Sequence, residues 1–246
     1  MNSKRSERML SLQITERQLY DYMKCPVYYQ GAYQYGLVPI EQVSMNKLLG
    51  KVAHAFCAKL AMQTVPTMSD VQKMWDRVCR KHSDYITDKR AVDGIATLMQ
   101  MYRWAESKQL MVGSTDVPYS IIFGKSDPIE LIGKIDTVAL TADKKMELLI
   151  FDFDKKMPDR AVMDTKLKYT MDAYAFKKLM KQDVGIHIHH VRTAQDFFTF
   201  RGGDDYKRLE SAVHAIGTCI KEEVFFPREN VFCTSCDMKG FCRAWK

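Results

Sequence analysis

The sequence predicts an α/β fold: a central mixed β-sheet flanked by helices, with a helical region before it and a cysteine-rich tail after it. Three observations carry this. Helix-period patterns run from about residue 15 to residue 112, the period changes to two after Gly113, and Cys233, Cys236 and Cys242 crowd the end. With 246 residues, 46% apolar and 27% charged, the chain has enough apolar side chains for a full core and too many to stay unfolded. The expected organisation is one domain over 1–246: a mainly helical region over 1–112, an α/β core over 113–224, and a tail over 225–246 joined to Cys25.

Each element has its own signal. Thr15-Glu16-Arg17-Gln18 has capping-box spacing, and the helix it opens, RQLYDYMKC, stops at Cys25-Pro26. The Tyr-rich VYYQGAYQYG follows, broken by Gly36 and Pro39. Residues 42–62 read as one long helix with Leu48, Val52, Ala55, Phe56 and Leu60 at core spacing, and 67–112 continue as helices. PYSIIFG, ELIGKIDTVAL and MELLIFDFD are strand-like runs parted by the turn signals KSDP and TADKK. Residues 159–182 return to helix, VGIHIHHVRT and DFFTFRGG are two more strands, and DDYKRLESAVHAIGTCIKEEV is the last helix. No internal repeat or low-complexity segment interrupts the series.

Several function classes fall away on composition. There is no 18-residue apolar run, and the start, MNSKRSERML, lacks the apolar stretch of a secretory signal, so no membrane partner is expected. Seven cysteines, an odd number, fit a reducing compartment better than a disulfide framework, and the expected location is the cytoplasm. The net charge of +7 leans modestly toward polyanionic partners and serves solubility equally well.

Four of the cysteines form a pattern. FCTSCDMKGFC is a C-x2-C-x5-C run, and Cys25 lies in YDYMKCPVYY at the other end of the chain. Three clustered thiols and a distant fourth make the ligand count of a cubane iron–sulfur cluster or a structural zinc. Such a centre closes a loop of about two hundred residues. Cys57, Cys79 and Cys219 lie in helix-like segments and read as core.

The acids are the second pattern. Asp136 sits inside an apolar run, between Ile135 and Val138, where an unpaired carboxylate is costly. Asp152 and Asp154 close the next strand and are followed by Lys155 and Lys156. Two-residue periodicity puts Asp152, Asp154 and Lys156 on one face, with Asp136 alongside if the strands form a hairpin. Carboxylates converging at one end of a sheet suit Mg²⁺ or Mn²⁺, and a nearby lysine suits phosphodiester hydrolysis; solvated acids at a turn are the plainer alternative. His54, on a helix among small and apolar residues, reads on its own as a core histidine. His187, His189 and His190 alternate along a strand and read as sheet surface.

Taken in order, these pieces resemble the iron–sulfur branch of the RecB-type nucleases in the PD-(D/E)XK superfamily, which includes CRISPR-associated RecB-like exonucleases and AddB-type nuclease domains. The pieces are LYDYMKCPVYY, the G-x-x-x-H of Gly50 to His54, Gly133-Lys134-Ile135-Asp136, and the terminal cysteine triplet. The resemblance spans nearly the whole chain and implies a restriction-endonuclease-like core. It makes His54 and Asp136 ligands of Mg²⁺ or Mn²⁺, with an acid from the Asp152/Asp154 pair. It makes Cys25, Cys233, Cys236 and Cys242 the ligands of a structural [4Fe–4S] cluster.

Two positions depart from the family pattern. Where the family has acid-x-Lys, this chain has Asp152-x-Asp154, and the pattern returns one frame later as Asp154-x-Lys156. Where it has Gln-x-x-x-Tyr, the chain has Thr170 and Tyr174. The implied activity is a metal-dependent deoxyribonuclease, an exonuclease on single-stranded DNA or DNA ends, with Lys156 assisting the attacking water and Tyr174 steering the substrate backbone. The protein partners left open are a helicase, a recombinase or a CRISPR integrase. The rival readings are a catalytically degenerate DNA-binding module and a zinc-stabilised scaffold.

Overall fold

The computed structural model describes residues 12–37 and 43–242. The expected break at Pro39, the start of the helix at residue 42 and the segment MNSKRSERML lie outside them. The chain forms two compact units, Met1–Ile40 with Ser120–Gly133 and Lys207–Lys246, and Glu41–Tyr119 with Lys134–Tyr206. The fold is the mixed α/β class predicted, a mixed sheet flanked by helices, with strand order β1-β3-β4-β5-β6 and β2 paired to β3.

The first unit opens with β1 (Leu12–Thr15), paired in parallel with β3 (Ile129–Leu140) from Leu12 against Ile129 to Thr15 against Ile132. Four residues abutting a helix cap are too few to display a period of two, so the sequence does not announce this strand. Helix α1 (Glu16–Lys24) starts on the predicted capping box: the Gln18 amide donates to Thr15 Oγ1 at 3.2 Å and the Thr15 amide to Gln18 Oε1 at 2.8 Å. It stops at Cys25, whose backbone is extended. Pro26, with no amide to satisfy, begins α2 (Pro26–Tyr29). The Tyr-rich stretch then stays helical through a π-turn (Gln30–Gln34), and the expected break falls at Gly36, φ +61°. Most of α8 (Gly203–Lys221) belongs here; a Cβ at Gly217 would stand 2.3 Å from Ile129 Cδ1, so only glycine lets the helix lie on β3.

The second unit holds α3 (Met45–Ala61), α4 (Met68–Lys81) and α5 (Asp88–Ser107), followed by strands. Leu49, Val52 and Phe56 of α3, Val71 and Trp75 of α4, and Leu98 and Met101 of α5 pack into one buried cluster with Ala139 and Leu149 of the sheet. Each buried Leu, Val, Phe or Met side chain among them contributes roughly 1.5–3 kcal/mol of transfer free energy. β3 runs antiparallel to β4 (Met146–Asp152), Val138 against Leu148. β4 is parallel to β5 (Gly185–His190), and β5 is antiparallel to β6 (Gln195–Thr199). The crossover between β4 and β5 carries α6 (Arg160–Thr165) and α7 (Leu167–Met180).

Three expectations are corrected. β2 (Met111–Phe123) starts two residues before Gly113 and takes in the polar stretch GSTD, which has no two-residue alternation to show it. β4 ends at Asp152, so Asp154 and Lys156 are not strand residues and the single-face argument stops there. His187, His189 and His190 are buried, not on a sheet surface. β5 lies between β4 and β6, the Trp104 ring stacks on His189 at 4.1 Å, and the Nδ1 atoms of His187, His189 and His190 are bonded by Glu147, Asp196 and the Thr193 hydroxyl respectively.

Candidate functional site

A cleft of about 680 Å³ opens in the second unit, between α3 and the β3–β4 strands. Lys47, Gly50, Lys51 and His54 fall three or four apart on α3, so they share the stripe that lines it. Lys134 and Asp136 of β3 line it as well. Nothing lies within 4 Å of where a Gly50 side chain would begin, so this glycine answers no packing need and leaves the helix backbone open to the cleft.

His54 and Asp136 therefore meet in one cavity, as the resemblance implied. The His54 side chain is 30% exposed, and its Nε2 lies 2.8 Å from Asp116 Oδ2. Nε2 is itself sheltered from solvent. Asp116 stands in the middle of β2 with φ +53°, a left-handed conformation that costs about 1 kcal/mol or more in a non-glycine residue. The Lys134 ammonium, paired with it directly, and then His54 hold its carboxyl below the usual carboxylate range. Lys168 of α7, which is not itself among the lining residues, reaches to 3.6 Å from Asp136 Oδ2, donates to Asp172 Oδ1 at 3.0 Å and approaches the Lys134 carbonyl at 3.4 Å.

The remaining predicted residues lie elsewhere. Asp152, Asp154, Lys156 and Tyr174 are not among the residues lining the cleft. The Asp152 carboxylate accepts the Asp154 amide at 3.0 Å, and the Asp154 carboxylate is bonded by the Asn46 amide at the start of α3. Lys156 is exposed beyond the end of β4. Tyr174 is buried, its ring 5.1 Å from that of Tyr206. Thr170 is committed to Arg201, whose guanidinium also bonds Thr199 Oγ1 and the Phe200 and Met163 carbonyls.

Sequence reasoning missed Asp116 and Lys168. Asp116 sits in a polar stretch that reads as a loop, and only the tertiary fold brings it to His54. Lys168 is one lysine of several in a helix; its i, i+4 spacing to Asp172 was readable, but not the depth of Asp172, which is 4% exposed.

In the first unit, Cys25, Cys233, Cys236 and Cys242 all line one small pocket, and none is in a disulfide. Burial raises the Cys236 thiol pKa, and neighbouring Cys25 and Cys233 add to this; the Met238 amide opposes it by bonding the sulfur. The Asn230 amide donates to Cys233 Sγ at 3.4 Å. Tyr28, Ala32 and Met238 form a buried cluster against Cys25 and Cys236, which makes the Tyr-rich segment packing around the cysteines.

Among the described residues, no three His, Cys, Asp or Glu side chains stand close enough together to hold one metal ion. The donor sets nonetheless fit in kind. An imidazole nitrogen sheltered from solvent beside carboxylates suits Mn²⁺ or Mg²⁺, and four thiols on one pocket, with amides directed at two of them, suit an iron–sulfur centre. Cys57, by contrast, is core: burial pushes its thiol up to about 12.

No helix among the described residues is long and apolar enough to cross a membrane. Comparison with solved structures finds a protein from Eubacterium rectale, provisionally named an exonuclease, at 10% identity and a TM-score of 0.56, over 91% of this chain and 86% of that one. A second, SSO0001, aligns at 12% identity and a TM-score of 0.43 over 95% and 87%, too distant to carry weight. No curated protein sequence matches significantly. The profile of the PD-(D/E)XK nuclease superfamily matches residues 13–243, nearly the whole chain, around the same His54 and Asp136 that line the cleft, and the chain belongs to that superfamily.

Proposed function

We propose that this protein is a metal-dependent deoxyribonuclease that hydrolyses phosphodiester bonds in single-stranded DNA or at DNA ends. The observation that carries the reading is the meeting of His54 and Asp136 in one cleft, with His54 Nε2 sheltered from solvent beside the Asp116 carboxylate. His54 and Asp136 would hold Mg²⁺ or Mn²⁺; the acid of the Asp152/Asp154 pair that the sequence pattern adds lies outside the lining of the cleft. Bound there, the ion supplies Lewis-acid stabilisation of the charge that builds on the phosphate. Lys47 and Lys51 on the cleft wall draw in the nucleic-acid backbone. The exonuclease name carried by the Eubacterium rectale protein agrees with action at ends.

The cysteine pocket is proposed to hold a [4Fe–4S] cluster with a structural role, tying the segment after α1 to the tail. Its support is the convergence of Cys25 with Cys233, Cys236 and Cys242 on one pocket. A second reading, a DNA-binding module without catalysis, draws on the engagement of Asp154 by Asn46 and the exposure of Lys156 outside the cleft. One experiment separates the two: end-labelled single-stranded DNA incubated with protein purified anaerobically, in Mn²⁺ or in EDTA, beside Asp136→Ala. Mn²⁺-dependent shortening of the DNA that Asp136→Ala abolishes supports the nuclease. Intact DNA with the wild type, retained on the protein, supports the binding module.

A further inference from the structure

We infer that Lys168, on α7, is the catalytic lysine of this chain. The inference rests on the nuclease reading above and deepens it by naming the cation that the sequence pattern misplaces. The acid-x-Lys pattern puts Asp154 where a lysine is expected, and its shifted form points to Lys156. Lys156 is exposed past the end of β4, where fixing its long flexible stem in one pose is entropically costly.

Lys168 is held. Its side chain is 20% exposed, and it lies on a regular helix, so its backbone is fixed. One turn later Asp172, buried, takes its ammonium at 3.0 Å. The Lys134 carbonyl adds a weaker tether at 3.4 Å. These contacts leave Nζ 3.6 Å from Asp136 Oδ2, the acid of the cleft. Lys134, the other nearby cation, is drawn away to Asp116. The catalytic cation thus arrives from the helix that crosses the strand instead of from the strand itself. The buried acid behind it acts as a positioning residue.

The chemistry asked of it is limited. A water oxygen forms a bond to phosphorus while the bond from phosphorus to the leaving oxygen breaks. The water gives up its proton to solvent, and the leaving oxygen takes one up from solvent. Negative charge grows on the phosphoryl oxygens as this happens, and an ammonium fixed beside Asp136 stabilises it without having to reorient. Removing one preorganised donor of this kind typically lowers the rate by about 100-fold or more.

Removing Lys168 alone would leave a buried acid short of its partner, so the informative variant is Lys168→Met with Asp172→Asn. We would measure Mn²⁺-dependent cleavage of end-labelled single-stranded DNA by the wild type, Asp136→Ala, this double variant and Lys156→Ala, together with Tm and DNA affinity in EDTA. The inference predicts a rate about 100-fold below wild type in the double variant, with Tm and DNA affinity held. A double variant that cleaves at the wild-type rate overturns it, as does a loss confined to Lys156→Ala. Should the double variant unfold, Lys168→Arg decides, because it keeps the ion pair with Asp172 but displaces the donor. A drop of about tenfold or more at unchanged Tm supports the inference, and a wild-type rate overturns it. Absence of cleavage by the wild type defeats the nuclease reading, whereas an active wild type with an active double variant defeats only the role of Lys168.

Discussion

His54 and Asp136 were legible as single residues because each sits in a short motif, and both face the cleft. Asp116 and Lys168 were not, because their meaning comes from what a distant segment brings to them. The same holds for Arg201, a buried guanidinium satisfied by two threonine hydroxyls and two carbonyls. Arg201→Met should lower stability by about 3 kcal/mol, since it leaves several buried acceptors without a donor, and a shifted urea midpoint would show it. His187 is a pH-dependent case. Burial pushes its pKa down, but the hydrogen bond to Glu147 at 3.0 Å and the Asp196 carboxylate 3.2 Å away outweigh burial and leave it raised. A raised folded-state value adds stability that is fully present below the unfolded value of about 6.5 and is lost as pH rises through the folded one. The stability gap between wild type and His187→Gln should therefore be widest in mild acid and close toward alkaline pH; a gap that grows with pH would refute this.

At the scale of elements, helix starts were readable from their caps. Thr67 repeats the capping-box logic at the start of α4, taking the Asp70 amide at 3.2 Å while Asp70 accepts the Thr67 amide at 2.9 Å. Thr67→Ala should cost about 1 kcal/mol in a denaturant melt. Packing between helices was not readable. Gly94, mid-helix in α5 and so unfavourable on propensity, is there because a Cβ would lie 2.2 Å from the Trp75 ring. Gly94→Ala should therefore destabilise by about 1–3 kcal/mol, although alanine is the better helix former. A stabilised variant would mean that the two helices have room to spare. The strands were read less well. β1 was missed because it is four residues long, and the early part of β2 because its polar run shows no alternation.

Across the whole molecule, the fold class came from the order of motifs along the chain, and the same order is what proposes a metal cleft and a cysteine centre. Their placement agrees with that order: the predicted cysteines line one pocket, and the two strongest metal candidates line one cleft. What the order did not supply is the completion of the cleft, since Asp152 and Asp154 bond locally and Lys156 stays outside. If the cysteine pocket holds an iron–sulfur cluster, Cys25→Ser should remove the visible absorption of the anaerobically purified protein and lower its Tm. A colourless wild type containing zinc would assign the pocket to that metal instead.

Whether His54 and Asp136 form a metal-dependent nuclease centre is decided by a Mn²⁺ titration of DNA cleavage by the wild type, His54→Ala and Asp136→Ala. A metal centre on these two residues gives saturable Mn²⁺-dependent cleavage by the wild type, a half-saturating Mn²⁺ concentration raised about tenfold or more in His54→Ala, and no cleavage by Asp136→Ala. Cleavage with the same Mn²⁺ dependence in all three proteins would contradict it.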